Sequence, residues 1–158
     1  MPTSPPRILF VCTGNICRSP TAEAVLLHRA GARGLDVVAD SAGTSAEEFG
    51  NPPDRRARAA ASARGYTLLS RSARQVRPAD FTDFDRILAM TTAHLRTLER
   101  QAPPGGTARL QLFMDLVSAK GPRDVPDPWY GDDAGFEHVL DLIEVGVDGL
   151  ITDLERQP

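Results

Sequence analysis

Long apolar runs are missing from this sequence. No stretch approaches the ~20 residues that a membrane span requires, and residues 8–12 are far too short for a signal peptide. The opening Met-Pro-Thr-Ser-Pro-Pro also lacks a charged-then-apolar leader, so the expectation is a cytoplasmic chain with no membrane partner. Cysteine is scarce. Cys12 and Cys17 are the only two, which excludes a disulfide framework and points to a reducing compartment. With only His28, His94 and His138 scattered along the chain, they make a poor zinc set. The three histidines fall on predicted helices and read as surface or packing residues. Excess positive charge is absent too: the net charge is −3 and the pI near 5.6, which argues against a general nucleic-acid binder. Lysine is almost missing, Lys120 standing alone beside 17 arginines, a composition bias with no function attached.

What remains is an ordinary globular composition, with 41% hydrophobic and 25% charged residues over 158 positions. That is one domain's worth of chain, residues 1–158, with residues 1–6 expected to be disordered. Residues 8–11 (Ile-Leu-Phe-Val) run apolar without alternation, as a central parallel strand covered on both faces does. A helix should open at Ser19-Pro20-Thr21-Ala22-Glu23, with Ser19 able to cap and Pro20 in the first turn. Further strands are predicted at residues 37–39, 86–90 and 110–113. Helices are predicted after Asp54, through Leu95 and Leu98, and over residues 136–154, where Val139, Leu142, Ile143, Val147, Leu150 and Leu154 share one side. Strands alternating with helices imply an α/β domain, a parallel sheet with helices on both faces. Ligands of such sheets bind beyond the carboxyl ends of the strands, so the first loop to inspect is the one that starts at Cys12.

That loop reads Cys12-Thr13-Gly14-Asn15-Ile16-Cys17-Arg18, between a buried strand and a helix start. Consecutive backbone N–H groups in a tight loop form an anion nest, and a helix N-terminus adds positive potential. Gly14 and Asn15 tolerate the left-handed backbone that a tight ring requires. Arg18 supplies a planar fork that matches two phosphate oxygens. The field that holds a dianion also stabilises a thiolate, which makes Cys12 the predicted nucleophile, with Ser19 as a donor to its sulfur. The plain alternative is an inert strand-end cysteine beside a surface arginine.

Val11-Cys12-Thr13-Gly14-Asn15-Ile16-Cys17-Arg18-Ser19-Pro20 resembles the phosphate loop of the low-molecular-weight protein tyrosine phosphatases. The resemblance continues through Ser41-Ala42-Gly43-Thr44, Pro53-Asp54-Arg55-Arg56-Ala57 and Asp127-Pro128-Trp129-Tyr130-Gly131, and covers essentially the whole chain. It implies a four-stranded parallel sheet of order 2-1-3-4 in a three-layer domain, acting as a monomer on phosphotyrosine proteins or small aryl phosphates without metal or other cofactor. It also implies a phosphate site built from Thr13, Gly14, Asn15, Ile16, Cys17 and Ser19, with Trp129 and Tyr130 walling the pocket. Asn15 and Ser41 look like a hydrogen-bonded pair that supports the loop. Cys17 either packs beneath the loop or forms a reversible, protective disulfide with Cys12.

Expulsion of a phenolate calls for a carboxylic acid that protonates it, an effect worth roughly 10²–10⁴ in rate. Asp124, Asp127, Asp132 and Asp133 share the only polar loop near the chain end that also carries aromatics. Residue chemistry does not choose among them. The resemblance selects Asp127, and the other three read as a solvated acidic loop.

Three positions depart from the family pattern. Glu47 and Glu48 stand where relatives often carry an aromatic residue and a histidine, with Phe49 a candidate substitute for the lost aromatic. Arg71 stands where some relatives place a histidine. Arsenate reductases of the same fold need further cysteines downstream, and none follows Cys17. Protein arginine phosphatases carry Thr where this chain has Ile16, whose larger apolar side chain suits a phenyl ring. A catalytically inactive phosphate-binding module is disfavoured by the joint presence of Cys12, Arg18 and Asp127.

Overall fold

The computed structural model of the chain describes residues 4–68, 72–117, 121–128 and 131–156. Strand β1 (Arg7–Cys12) resolves the unbroken apolar run of the sequence into two faces. Successive side chains of a strand point to opposite sides. Ile8 and Phe10 therefore join one core with Leu88, Val25, Leu26, Ile143 and Val147. Leu9 and Val11 join a second with Ala42, Phe81, Phe84, Ile87 and Leu98. All four of these β1 side chains are fully buried, which is why the run shows no polar alternation.

β1 sits between β2 (Val38–Gly43) and β3 (Arg86–Ala89), and β3 pairs with β4 (Arg109–Leu112). All pairings are parallel and the order is β2-β1-β3-β4, as expected. Hydrogen bonding starts just before the strand, where the Pro6 carbonyl accepts the Val38 N–H at 2.8 Å. The first core is closed by α1 (Arg18–Ala32), α2 (Arg55–Ala63) and α5 (Asp133–Glu155). The second is closed by α3 (Asp80–Asp83) and α4 (Thr92–Gln101). Phe113 packs edge-on to Phe10 at 5.9 Å between centroids. A Cβ on Gly146 would lie 2.3 Å from the Phe113 ring, so only glycine lets α5 approach there.

Several sequence expectations shift. β2 extends through Ser41, Ala42 and Gly43, residues expected to follow it, because each pairs in register with β1 up to Cys12. The one-turn helix α3 was not expected; it is too short for a periodic signal. Phe113, expected in the fourth strand, begins a 3-10 turn (Phe113–Leu116). Ser19 is not a helix cap: α1 starts one residue earlier, behind Cys17, with no side-chain cap bond, and the Ser19 hydroxyl is engaged elsewhere.

Candidate functional site

The carboxyl ends of β1 and β3 are neighbours, and each strand leads into a segment that carries polar side chains to the same place. From β1 the chain turns through residues 13–17 directly into α1. Its carbonyls are tied down: Cys12 O accepts from Thr44 N, Thr13 O from Ser45 N, Ile16 O from Asp54 N and Cys17 O from Thr21 N, at 2.6–3.1 Å. Among the described residues, by contrast, no N–H of residues 13–17 is donated to another protein group. A tight segment whose carbonyls at residues 12, 13, 16 and 17 are paired while its donors stay uncommitted has the makings of an anion nest.

The turn needs an unusual backbone. Asn15 has φ +60, the sole non-glycine residue in the left-handed region among those described. Its side chain is used completely: Nδ2 donates to Ser19 Oγ and to Ser41 Oγ, both at 2.9 Å, and Oδ1 accepts the Arg74 N–H at 3.0 Å. Ser41 in turn donates to Glu23 Oε1 at 2.9 Å. Arg74 grips both carboxylate oxygens of Asp80, at 2.9 and 3.1 Å. The expected pairing of Asn15 with Ser41 is therefore present, within a larger buried lattice that includes Glu23, Arg74 and Asp80. Gly43 is required by contact: a Cβ there would sit 2.4 Å from Thr13 O.

A cavity of about 230 Å³ opens over this turn, lined by Cys12, Thr13, Gly14, Ile16, Cys17, Arg18, Glu47, Glu48 and Asp127. Cys12 Sγ lies 3.0 Å from Ser19 Oγ. Asn15 donates to that same hydroxyl oxygen, which leaves the Ser19 proton to the sulfur or to Ala42 O at 3.4 Å, the sulfur being the nearer. Arg18 is 5% exposed. Its Nη1 donates to Val125 O at 2.9 Å, its Nη2 to Thr13 Oγ1 at 3.4 Å, and Asp127 Oδ2 lies 3.7 Å from Nη2. Val125 is anchored by its own N–H to Met90 O at 2.8 Å, just past β3, which fixes the segment that carries Asp127.

Cys17 lines the same cavity, but its environment is different. Burial pushes its thiol well above the usual range, and the charges of Cys12, Asp54 and Asp127 add to this against the opposing pull of Arg18. Both cysteines are free.

The four aspartates of the late loop separate by position. Asp127 alone of them lines the cavity, its side chain 46% exposed. Asp124 and Asp132 are not merely solvated: Asp124 accepts the Thr92 N–H at 2.8 Å, and Asp132 caps α5 through Gly135 N. Asp133 is the first residue of α5. Glu47 and Glu48 both stand at the mouth, whereas Phe49 is 72% exposed and does not line the cavity, so it supplies no aromatic wall. Trp129, Tyr130 and Arg71 lie outside the described residues.

One nearby residue does more than the sequence reading gave it. His94, expected to be surface or packing, is buried and forms a 2.7 Å hydrogen bond from Nε2 to Thr13 Oγ1. The signal was its position, shortly after a strand adjacent to β1, in a region where such folds bind ligands. Burial first, then the Arg18 charge, hold its pKa down at about 4, with Asp124 and Asp127 opposing. Among the described residues no helix is long and apolar enough to cross a membrane.

Comparison with known proteins points the same way. The low molecular weight protein-tyrosine-phosphatase of Streptomyces coelicolor is 43% identical over 156 residues, covering 96% of this chain and 94% of that protein. The crystal structure of a protein tyrosine phosphatase from Entamoeba histolytica superposes with a TM-score of 0.90 at 36% identity, covering 96% and 97% of the two chains. A Drosophila arginine phosphatase also superposes at 0.90, with 31% identity and 96% and 99% coverage. The sequence profile of the low molecular weight phosphotyrosine protein phosphatases matches residues 7–158. With that match across the sheet, the anion nest and the Asp127 segment alike, the chain belongs to the low molecular weight phosphotyrosine protein phosphatase family.

Proposed function

We propose that residues 1–158 form one functional domain that hydrolyses phosphate monoesters of phenols, phosphotyrosine above all, in two steps at Cys12. The Cys12 thiolate attacks phosphorus, the P–O bond to the phenol breaks, and Asp127 passes its proton to the departing oxygen. Water then attacks the cysteinyl phosphate, Asp127 takes a proton from it, and the P–S bond breaks to return the thiolate and release inorganic phosphate. Arg18 and the N–H groups of residues 13–17 hold the equatorial oxygens through both transition states. The Ser19 hydroxyl steadies the thiolate as it leaves phosphorus. Asn15 and Ser41 keep the loop in its left-handed turn.

The observation that carries this reading is the turn itself: the N–H groups of residues 13–17 are committed to no described residue, and a cysteine sulfur and a buried guanidinium line the same cavity. A reducing, cytoplasmic setting goes with it, since the mechanism requires a free thiol. Monomeric action is part of the proposal. Phe49, Val117 and Val145 are the exposed large apolar side chains among the described residues, far short of an obligate interface.

A phosphoarginine substrate has one observation in its favour, the carboxylates of Glu47 and Glu48 at the mouth, which complement a guanidinium. Ile16 in the lining counts against it, because an apolar wall desolvates a cation without pairing it.

Turnover of aryl phosphates by wild type and Cys12→Ser tests the core of the reading: the variant should lose essentially all activity, and equal rates would refute a covalent intermediate. On the same substrates Asp127→Ala should slow phenyl phosphate by roughly 10²–10⁴. Esters of strongly acidic phenols, which leave without a proton, should be slowed far less. A uniform loss would remove Asp127 from the role of acid.

A further inference from the structure

The mechanism makes no use of His94, yet this buried ring touches the phosphate loop. Its place is set by α4, where Thr91 Oγ1 accepts the His94 N–H at 3.2 Å and Thr92 N is tied to Asp124 Oδ1 at 2.8 Å. From there Nε2 reaches Thr13 Oγ1 at 2.7 Å. The same oxygen accepts Arg18 Nη2 at 3.4 Å. That second contact is at the long limit of a hydrogen bond, so its hold on the guanidinium depends on where the Thr13 oxygen sits. The shorter bond to His94 decides that.

The direction of the short bond follows from donor and acceptor counts. Arg18 only donates, so Thr13 Oγ1 gives it one lone pair. If the hydroxyl proton pointed at Nε2, the neutral ring would carry its proton on Nδ1. Nδ1 is buried and has no hydrogen-bond partner among the described residues. A buried N–H without an acceptor is costlier and rarer than an idle lone pair. The proton therefore belongs on Nε2, and Thr13 Oγ1 accepts from both sides while its own proton turns to the open cavity that exposed Thr13 lines.

We propose that His94 is a positioning residue for this reaction: its Nε2–H pins the Thr13 hydroxyl oxygen as a fixed acceptor for Arg18, and so aims the guanidinium at the bound phosphoryl group. Resting on the phosphatase reading above, this adds a second anchor for Arg18. Val125 O holds Nη1, Thr13 Oγ1 holds Nη2, and the remaining N–H groups of the fork are left for substrate oxygens. The neutrality of His94 fits the role, because burial and the adjacent Arg18 keep its pKa at about 4, with Asp124 and Asp127 acting the other way. A phosphate dianion bound beside Arg18 should raise that value.

The test is a comparison of steady-state kinetics on an aryl phosphate for the full chain and for His94→Leu, His94→Gln, Thr13→Val and the Leu/Val double variant. His94→Leu should raise KM and the inhibition constant of inorganic phosphate about ten-fold, the scale of one hydrogen bond felt at a charged group. The change in kcat should be smaller. His94→Gln, whose amide N–H₂ reaches the position of Nε2, should return both constants to within about three-fold of wild type. The double variant should be no worse than the poorer single one. Unchanged constants in the Leu variant, a Gln variant no better than Leu, or losses that multiply would each overturn the proposal. Should the Leu variant fail to fold, nitrogen NMR of the wild-type ring decides the point. An Nε2–H tautomer whose pKa rises on phosphate addition supports pinning, and an Nδ1–H tautomer refutes it. That measurement needs no turnover, so loss of the phosphatase reading and loss of this one are told apart.

Discussion

The two sides of the seven-residue segment from Cys12 to Arg18 obey opposite rules. On the side away from the cavity both side-chain polar atoms of Asn15 are paired, and the chain of bonds continues through Ser41 to Glu23 and through Arg74 to Asp80. On the cavity side the N–H groups of residues 13–17 are committed to no described residue, while Arg18 is held only by its Nη atoms. The contrast shows where preorganisation comes from. Converging N–H donors repel one another and would relax the turn. The hydrogen-bonded lattice behind them keeps the strained backbone in place before substrate arrives.

If that division holds, variants on the two sides should differ in kind. The largest effect is expected for Arg18→Lys, which keeps the charge but removes the planar fork: kcat/KM should fall by about 10²–10³. Thermal stability should stay level or rise, since a site built for an anion is relieved of a buried guanidinium. A stability loss as large as that of the variants behind the loop would erase the distinction. Asn15→Ala comes next. It strands the Arg74 N–H and puts alanine at positive φ, so it should cost about 2–3 kcal/mol of stability and roughly ten- to a hundred-fold in kcat together. Ser41→Ala removes one link of the lattice and should cost about 1 kcal/mol with only a few-fold loss of rate. Denaturant unfolding beside aryl phosphate kinetics reads both quantities for each variant.

The smallest expected effect sharpens the comparison at its flank. His94 titrates near 4 in the folded protein against 6.5 ordinarily. Between those values the unfolded chain takes up the proton and the folded chain does not, so stability should fall as pH drops from 6.5 toward 4. The His94 contribution is fully present above 6.5. His94→Gln should flatten that part of the unfolding profile. A variant with the same pH dependence as wild type would place the titration on other groups.

Much of this was legible in the residues. The run at residues 8–11 announced a central buried strand because both faces of β1 are covered, and it is burial on both faces that suppresses alternation. Asn15 beside Gly14 announced the left-handed turn, and the structure places the positive φ on Asn15. What proved illegible was whatever depends on a neighbour distant in the chain. Ser19 fits two sequence readings, helix cap and donor to the Cys12 sulfur, and the structure keeps the second, with Ala42 O, 23 residues on, also within reach of its hydroxyl. Asp124 looked like a solvated acid because its partner, the Thr92 N–H, lies 32 residues away and is a backbone group, which leaves no trace in side-chain identity.

The sequence by itself determined the order of strands and helices, the anion-binding character of the first loop and the residue types that serve it, since these rest on local backbone preference and on burial patterns carried by adjacent residues. Tertiary structure alone decided that Cys17 sits in a thiol-raising environment, that Asp124 ties down the start of α4, and that a histidine 81 positions from Thr13 closes on its hydroxyl. Those outcomes follow from parallel pairing of β1 with β3. It brings the ends of separate segments to one edge, and nothing in either segment read alone encodes how the other will meet it.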